Sequence, residues 1–261
     1  MENNVTHIAI ESRLIKCKNI ITLGVKPNLS DYCQKDQELI HRSKKIYYPT
    51  TFYVDIFDAM GKKIFPSSHT YRFAQNKIKQ TALFNLVNIP HPRTRFFYGK
   101  RRKKLITSYF TFPFIAKIPK GSAMGRGVFL IKNNDDLNNY CELTHVAYIQ
   151  EYLESDRDIR VVIIGEKVAH AYWRIAQPGE YRSNLAAGAS VSLDTVPKDA
   201  TDLALYTAKK CQWNDVGIDI IKNNEAFFVL EANMKYGKEG FRKAGIDYTA
   251  MMEKMVENKE I

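Results

Sequence analysis

Cysteine is scarce in this sequence, and its histidines follow no pattern. The four cysteines, Cys17, Cys33, Cys141 and Cys211, stand singly without a C-x-x-C pair, and none of the six histidines has the spacing of a zinc-binding pair. Structural zinc sites and disulfide frameworks both depend on such pairs. The sequence therefore predicts neither a zinc site nor disulfide bonds.

Long apolar runs are missing as well. No segment approaches the roughly 18 apolar residues that a membrane span needs, and the first residues, MENNVTHIAIESR, contain no apolar core segment. We therefore expect a cytoplasmic protein without a membrane partner. The 261 residues, 45% of them apolar, suit one large domain or two or three interlocking ones.

Acidic residues are outnumbered, since 28 Asp and Glu face 39 Lys and Arg, for a formal charge of +11. This charge favours anionic partners, which include nucleotides, carboxylate substrates, acidic protein tails and nucleic acid. The segment RFFYGKRRKKL places the basic run Lys100 to Lys104 after three aromatic residues, a pattern that can bind phosphates and stack bases. A solvated segment with its rings in the core explains the same pattern, so nucleic acid is the less favoured partner.

Strand and helix patterns predict an α/β (α+β) protein. The first part of the chain alternates apolar strands with helical runs, which indicates a small α/β unit. A helix over residues 72–87 ends at the prolines of IPHP, and the second half contains two strong hairpin patterns. The predicted domains are residues 1–75, 76–148 and 149–261.

A glycine-bearing loop, KGSAMGRGV, directly follows the strand that contains Lys117. Its three glycines would let backbone amides approach an anion closely. The loop is neither a Walker loop nor a G-x-G-x-x-G turn, because the apolar strand VFLI follows it. It suits a hairpin folded over a triphosphate, and a plain flexible turn is the alternative.

Three polar residues interrupt the apolar hairpin DIIKNNEAFFVLEAN, namely Asp219, Glu231 and Asn233. An unpaired carboxylate buried there would cost several kcal/mol, so a cationic side chain, a metal ion or solvent must compensate each one. Glu231 and Asn233 are two residues apart and share one face of a strand. A two-residue turn at Asn223-Asn224 would place Asp219 and Glu231 on opposite faces of the hairpin. A site that uses both carboxylates therefore requires a loop with an odd number of residues, or a bulge.

The order of these motifs carries more information than any one of them. A lysine opens a helix, a second lysine precedes the glycine loop, and QEYL, DIR, RIA and RSN follow before a strand aspartate and an E-x-N motif twelve residues later. From about Lys77 to Asp247 this order resembles the ATP-grasp superfamily, and within it the RimK-type ligases. The resemblance implies an ATP-grasp fold: a small N-terminal pre-ATP-grasp domain, a lid subdomain with the glycine flap, and a C-terminal subdomain with a magnesium site.

The resemblance also implies roles for particular residues. ATP would be bound by the phosphate-binding lysines and flap glycines, by the QEYL segment around adenine, by an aspartate near the ribose and by the RSN motif: Lys77, Lys117, Gly125, Gly127, Gln150, Glu151, Tyr152, Leu153, Asp158, Arg182, Ser183 and Asn184. Mg²⁺, with Mn²⁺ as the second candidate, would be held by Asp219, Glu231 and Asn233. The groups facing the transferred phosphate would be Arg174, Arg182 and Asn184.

The implied activity is an ATP-dependent carboxylate-amine ligase that works through an acyl-phosphate. It would attach glutamate or another amino acid to an acidic small molecule, peptide or protein tail. The loop Met234 to Gly240 departs from the family pattern where the amine substrate is expected, and Lys235 and Lys238 in it favour an acidic substrate. The alternatives are an ATP-grasp phosphotransferase and, from another class, a basic nucleic-acid-binding protein; a homo-oligomer remains open.

Overall fold

Three β-sheets organise the part of the chain that the structure describes. The computed structural model describes residues 7–73, 76–119, 127–180 and 188–261. Within these ranges the sheets contain four, four and five strands. No helix in the described ranges has the length and apolar character that crossing a membrane requires.

The N-terminal sheet is parallel, with the order β2-β1-β3-β4. Parallel neighbours need crossover connections, and helices supply two of them. This confirms the predicted α/β unit, although the sequence did not predict β1. The elements are β1 (His7–Ala9), β2 (Ile20–Thr22), α1 (Gln34–Arg42), β3 (Lys45–Tyr47), α2 (Thr50–Ala59) and β4 (Lys63–Phe65).

The middle sheet is antiparallel, with the order β5-β8-β6-β7. Two helices, α3 (Ser68–Phe73) and α4 (Lys77–Leu86), lead into it, and its core is rich in aromatic side chains. The elements are β5 (Thr94–Tyr98), α5 (Gly99–Lys103), α6 (Ile106–Tyr109), β6 (Phe114–Lys117), β7 (Val128–Ile131), α7 (Asn134–Glu142) and β8 (Val146–Glu151). Strand β8 runs past residue 148, where a domain boundary was predicted, and the division into three domains stays a prediction.

The C-terminal sheet is antiparallel, with the order β11-β10-β9-β12-β13. One face is apolar and buries β-branched side chains such as Ile159 and Ile218 against α4 and α8. The other face has an apolar part where Val162 and Ile164 meet the N-terminal unit. The elements are β9 (Arg157–Ile164), β10 (Lys167–Ile175), β11 (Ser190–Ser192), α8 (Lys198–Cys211), β12 (Asp215–Asn223), β13 (Ala226–Asn233), α9 (Glu239–Lys243) and α10 (Tyr248–Glu257).

The β12-β13 hairpin turns at Asn224-Glu225, one residue later than predicted. Asn223 pairs with Ala226, and Asn224 adopts the left-handed φ of 52° that such a tight turn needs. Continued regularly, this register would place Asp219 opposite Leu230. A bulge leaves Leu230 without a partner and places Asp219 directly opposite Glu231, so both carboxylates share one face.

Candidate active site

Two arginines and two aspartates form a buried ion network on the polar face of the C-terminal sheet. Arg160 pairs with Asp219 through both carboxylate oxygens, and its Nη2 donates to Oδ2 at 2.9 Å. Arg174 donates from Nε and Nη2 to Asp158 at 2.6 and 2.5 Å, and its Nη2 also lies 3.0 Å from Asp219 Oδ2. The strand ladder explains this network, because Arg160 faces Asp219 and Asp158 faces Arg174 across neighbouring strands.

These arginines compensate the buried Asp219. Burial alone would lower the pKa of the Arg174 guanidinium, but the carboxylates of Asp158 and Asp219 raise it above its ordinary value. Bidentate pairs also fix the plane of each guanidinium. The network therefore stays charged and holds its donors in one orientation.

The negative charge of Glu231 is compensated by lysines, whereas that of Asp219 is compensated by arginines. Lys77, the first residue of α4, lies with its Nζ 3.5 Å from Glu231 Oε2, and Asn233 donates from Nδ2 to Oε1 at 2.7 Å. Burial alone would raise the pKa of the Glu231 carboxyl, but Lys77 and Lys117 lower it to about 2. Glu231 is thus an anion at any physiological pH.

Lys117, the last residue of β6, brings a cation from the middle sheet. Its side chain is buried, with 6% exposed, and its Nζ lies 5.6 Å from the centre of the Tyr148 ring. Burial lowers the pKa of Lys117 to about 8, although the Glu231 carboxylate opposes the shift. Lys77, Lys117 and Glu231 therefore converge from three different elements.

Gln80 keeps α4 in place against the sheet edge. Its side chain accepts from the Ala232 amide at 3.0 Å and donates to the Ala232 carbonyl at 2.7 Å, as a further strand would do. Strand β13 is the edge of its sheet, so these groups would otherwise lack a partner there. This contact sets the position of Lys77 relative to Glu231.

The end of β8 joins the middle sheet to the C-terminal sheet. Gln150 donates to Thr94 Oγ1 at 3.0 Å, and Glu151 accepts the Arg93 amide at 2.6 Å. Tyr152 and Leu153 follow the strand and are half-buried. The connection leads along the chain into β9, whose second residue is Asp158 of the ion network.

Comparison with known proteins gives the family. The model of the RimK-like ATP-grasp domain matches residues 74–256. The chain belongs to this family. It is an ATP-grasp ligase, and its relatives include proteins named probable alpha-L-glutamate ligase.

Two of these relatives match this chain over most of its length. The protein from Shewanella loihica is 31% identical over 221 residues, which are 80% of this chain and 73% of that protein. The protein from Saccharophagus degradans is 30% identical over 219 residues, 79% of this chain and 72% of that protein.

Solved structures with the same fold are more distant in sequence. A RimK domain ATP-grasp protein from Sphaerobacter thermophilus has a TM-score of 0.70 at 12% identity, covering 95% of this chain and 98% of that one. The ATP-grasp ligase PsnB, in a structure with a phosphomimetic precursor variant, Mg and ADP, has a TM-score of 0.72 at 12% identity, covering 98% and 99%. At these identities the likeness shows the ATP-grasp fold alone.

Seven of the twelve predicted site residues that the structure of this ATP-grasp ligase describes come together. Lys77, Lys117, Asp158, Arg174, Asp219, Glu231 and Asn233 lie in or beside the two ion clusters. Gly127 closes the base of the β6-β7 hairpin, where its carbonyl accepts from the Ile118 amide at 2.7 Å. Gly125, Arg182, Ser183 and Asn184 lie outside the described residues. Their roles, like those of the whole site, stay predictions.

Arg160 belongs to the cluster but was absent from the predicted site. The signal was present, because Arg160 stands two residues after Asp158 in a β-branched strand and therefore shares its face. Gly217 makes room for it, since a Cβ at this position would lie 2.8 Å from Arg160 Cδ. A glycine in the middle of a buried strand marks this close approach.

The donor set of the predicted metal site suits a hard cation. Glu231 lies opposite Asp219 and Asn233 lies opposite Gly217, so the three predicted ligands share one face. Carboxylate and amide oxygens are ligands that Mg²⁺ accepts. Among the described residues, no three His, Cys, Asp or Glu side chains converge where they could hold a metal. The set would therefore be two carboxylates and an amide, with Asp219 also bound to arginines.

Proposed function

We propose that this ATP-grasp ligase attaches glutamate to an acidic acceptor through an acyl-phosphate intermediate. The observation that carries the proposal is the convergence of Lys77, Lys117 and Glu231 beside the fixed guanidinium of Arg174. Cations from three elements around a carboxylate suit a site for a phosphate chain and its metal ion. The choice of glutamate rests on the names of relatives at 30 and 31% identity.

ATP would enter with its phosphates toward the two lysines. Lys117 is mostly protonated at neutral pH because its pKa is about 8, so it can pair with a phosphate oxygen. The adenine would lie at Gln150 to Leu153, where β8 ends between two sheets. Both oxygens of Asp158 are bound by Arg174, so Asp158 would hold that arginine as well as lie near the ribose.

Mg²⁺, or Mn²⁺ in its place, would be held by Asp219, Glu231 and Asn233 and would neutralise charge on the phosphates. Support comes from their shared face and from the chemistry of their oxygens. Asp219 keeps its arginine partners in this arrangement, so its carboxylate is oriented before any ligand arrives.

The reaction needs no nucleophile from the protein. A carboxylate oxygen of the substrate attacks the γ-phosphorus, the bond to the ADP oxygen breaks, and an acyl-phosphate forms. The amine nitrogen then attacks the acyl carbon, phosphate leaves, and the nitrogen loses a proton to give the amide. Arg174, with the predicted Arg182 and Asn184, would stabilise negative charge during both steps, which leaves positioning and electrostatics as the work of the enzyme.

The acceptor would bind at the loop Met234 to Gly240. Tyr236 anchors the loop, since its hydroxyl donates to Asp215 at 2.5 Å, whereas Lys235 and Lys238 are exposed. Two exposed lysines on an anchored loop suit an acidic acceptor. Replacing both with glutamate should then raise the KM for the acceptor far more than that for ATP, and equal effects would contradict this assignment.

The test of the proposed function is ADP release with glutamate and a panel of amino acids and acidic peptides. We expect ADP formation that depends on both a carboxylate and an amine, with a product one glutamate residue larger by mass spectrometry. Hydroxylamine should trap the acyl-phosphate when the amine is left out. ADP formation that is independent of any amine, with a stable phosphorylated product, would instead establish the phosphotransferase.

A further inference from the structure

The positive charge of this chain is concentrated in one stretch. Between Asp58 and Asp135 there is no Asp or Glu, and 16 of the 39 Lys and Arg residues lie there. The remaining 23 basic residues face all 28 acidic ones, so the rest of the chain has a formal charge of −5. The net charge of +11 therefore comes entirely from the stretch that builds most of the middle sheet.

The densest part of this stretch is a basic patch at the end of β5 and on α5. We define the basic patch as Tyr98, Lys100, Arg101, Arg102 and Lys104, all of which are exposed. The fifth cation of the run, Lys103, is turned inward, where it donates to the carbonyl of Cys141 at 2.5 Å and to that of Thr144. One residue of the run thus closes the end of α7, and four extend into solvent.

Local energetics do not account for the four exposed cations. Among the described residues, no carboxylate forms an ion pair with any of them. Neighbouring like charges on the five-residue helix α5 repel one another. A polyanionic partner would remove this penalty.

The exposed aromatic ring of Tyr98 indicates which kind of polyanion the basic patch would bind. Strand alternation turns Phe97 into the core and leaves Tyr98 54% exposed. In the described parts of the chain, no stacking or cation-ring contact involves Tyr98. Tyr109 is 41% exposed, but the Arg95 guanidinium already covers it at 3.7 Å. Tyr98 therefore offers an open aromatic face two residues from the first cation.

We propose that the basic patch binds single-stranded nucleic acid, with phosphates on the four cations and a base stacked on Tyr98. Single-stranded binders combine these two features, because every base has a face to stack and every phosphate a charge to pair. An acidic polypeptide would pair with the cations but would gain nothing comparable from the ring.

The basic patch is separate from the ATP site. Strand β5 pairs antiparallel with β8, so Tyr98 faces Val146 while Thr94 faces Gln150 at the opposite end. The predicted adenine contacts begin at Gln150, at the far end of the strand from the patch. Nucleic-acid binding and ligase activity should therefore be separable by mutation, and the proposal does not depend on the proposed function.

The test is fluorescence anisotropy of the full chain with a labelled oligouridylate of about twenty nucleotides. Four phosphate contacts on a single strand predict a slope of about −3 for log K against log salt, a loss of roughly 50-fold between 50 and 200 mM. The variant K100Q/R101Q/R102Q/K104Q should lose this slope and nearly all binding. Its charge-matched control K16Q/K35Q/K209Q/K210Q, four exposed lysines elsewhere, should keep both.

Tyr98→Ala tests the choice of partner. It should weaken oligouridylate binding by roughly 5- to 150-fold, whereas Tyr206→Ala, at another exposed tyrosine, should leave it unchanged. Circular dichroism should be unchanged in all variants, which shows that they fold, and ADP release should be normal. The proposal fails if the wild type does not bind, or if the control loses as much affinity as the patch variant. Tight binding of a polyglutamate peptide, together with a silent Tyr98→Ala, would make the patch a polypeptide surface instead.

Discussion

Asp215 and Asp219 stand on the same face of strand β12, yet the surroundings of the two carboxylates differ. Asp219, 4% exposed, is bound by two arginines and lies opposite Glu231. Asp215, 0% exposed, accepts from the Tyr236 hydroxyl at 2.5 Å and lies 4.0 Å from the Nε of Arg13. Burial raises the pKa of Asp215, although Arg13 opposes the shift.

Arg13 follows β1 and comes from the N-terminal unit. Its guanidinium lies 4.4 Å from the centre of the Tyr236 ring, and its Nε donates to the Tyr248 hydroxyl at 3.0 Å. Arg13 Nη2 and Asp215 Oδ2 are buried without a hydrogen-bond partner among the described residues. The Asp215 cluster is thus buried and joins the N-terminal unit to the C-terminal sheet.

The difference between the clusters is one of charge balance. Around Asp219, donors from β6, β9, β10 and α4 bring more cations than carboxylates need, so an anion can still be received. Around Asp215, Arg13 interacts with two carboxylates, Asp215 and Glu11, among tyrosines. Surplus buried cations favour a binding site, whereas a cluster without a surplus favours a structural contact.

Removing one of the surplus cations around Asp219 should have the largest effect on turnover. Lys117→Ala should lower turnover by at least roughly 1,000-fold, because the ammonium would act on phosphate charge and not on packing. ADP release measures the loss, and circular dichroism should stay unchanged. Arg182→Ala is expected to behave alike, and Lys132→Ala, at the exposed lysine that follows β7, is the matched control. Near-normal ADP production by Lys117→Ala would remove Lys117 from the site.

Replacing each aspartate with asparagine should separate the two clusters. Asp215→Asn leaves Arg13 buried without a counter-ion and should destabilise the protein by about 3–5 kcal/mol, with kcat of the folded enzyme little changed. Asp219→Asn should lower kcat by orders of magnitude with a smaller loss of stability, because Arg174 keeps Asp158 and Arg160 still interacts with the Glu231 carboxylate. Urea unfolding and ADP release on both variants measure this. Equal losses in both assays for both variants would mean that the distinction is wrong.

The sequence predicted one of these clusters and missed the other, for a physical reason. The carboxylates of β12 and β13 were found because alternation along a strand is local and motif order is regular. Arg13 and Asp215 are about 200 positions apart, and no local pattern indicates that β1 brings them together. Strand β1 itself, His7–Ala9, is only three residues long and too short for a periodic signal.

The pairing register of β12 and β13 was the other feature that the sequence did not predict. The same-face condition for Asp219 and Glu231 was derived correctly, but the turn was placed one residue too early. The bulge at Leu230 then restored the face, and nothing in the local sequence indicates a bulge at that leucine. Arg160 could have been found by the alternation that selected Asp158, whereas its bidentate pairing with Asp219 depends on which strands are neighbours.

The titration of Lys117 should have a smaller effect, on the KM for ATP. Below its pKa of about 8 the lysine is an ammonium and can pair with phosphate, and above it the charge is lost. The KM for ATP should therefore rise as pH passes from 7 to 9, by roughly tenfold per pH unit at most. Lys117→Arg should abolish this rise, because a guanidinium stays charged. A pH-independent KM in the wild type would show that Lys117 does not bind ATP as a cation.

The pH dependence of stability separates the two clusters by its sign. The pKa of Glu231 is about 2 when folded and 4.5 when unfolded, so its stabilisation is present above pH 4.5 and is lost as pH falls toward 2. The folded pKa of Asp215 is raised above 3.8, so this group alone makes stability fall as pH rises above that value. Glu231→Gln should therefore flatten the acid limb of urea stability, measured without ATP or metal. Asp215→Asn should steepen it, since the opposing contribution is gone. If both variants shift the limb in the same direction, the two carboxylates do not differ as their contacts indicate.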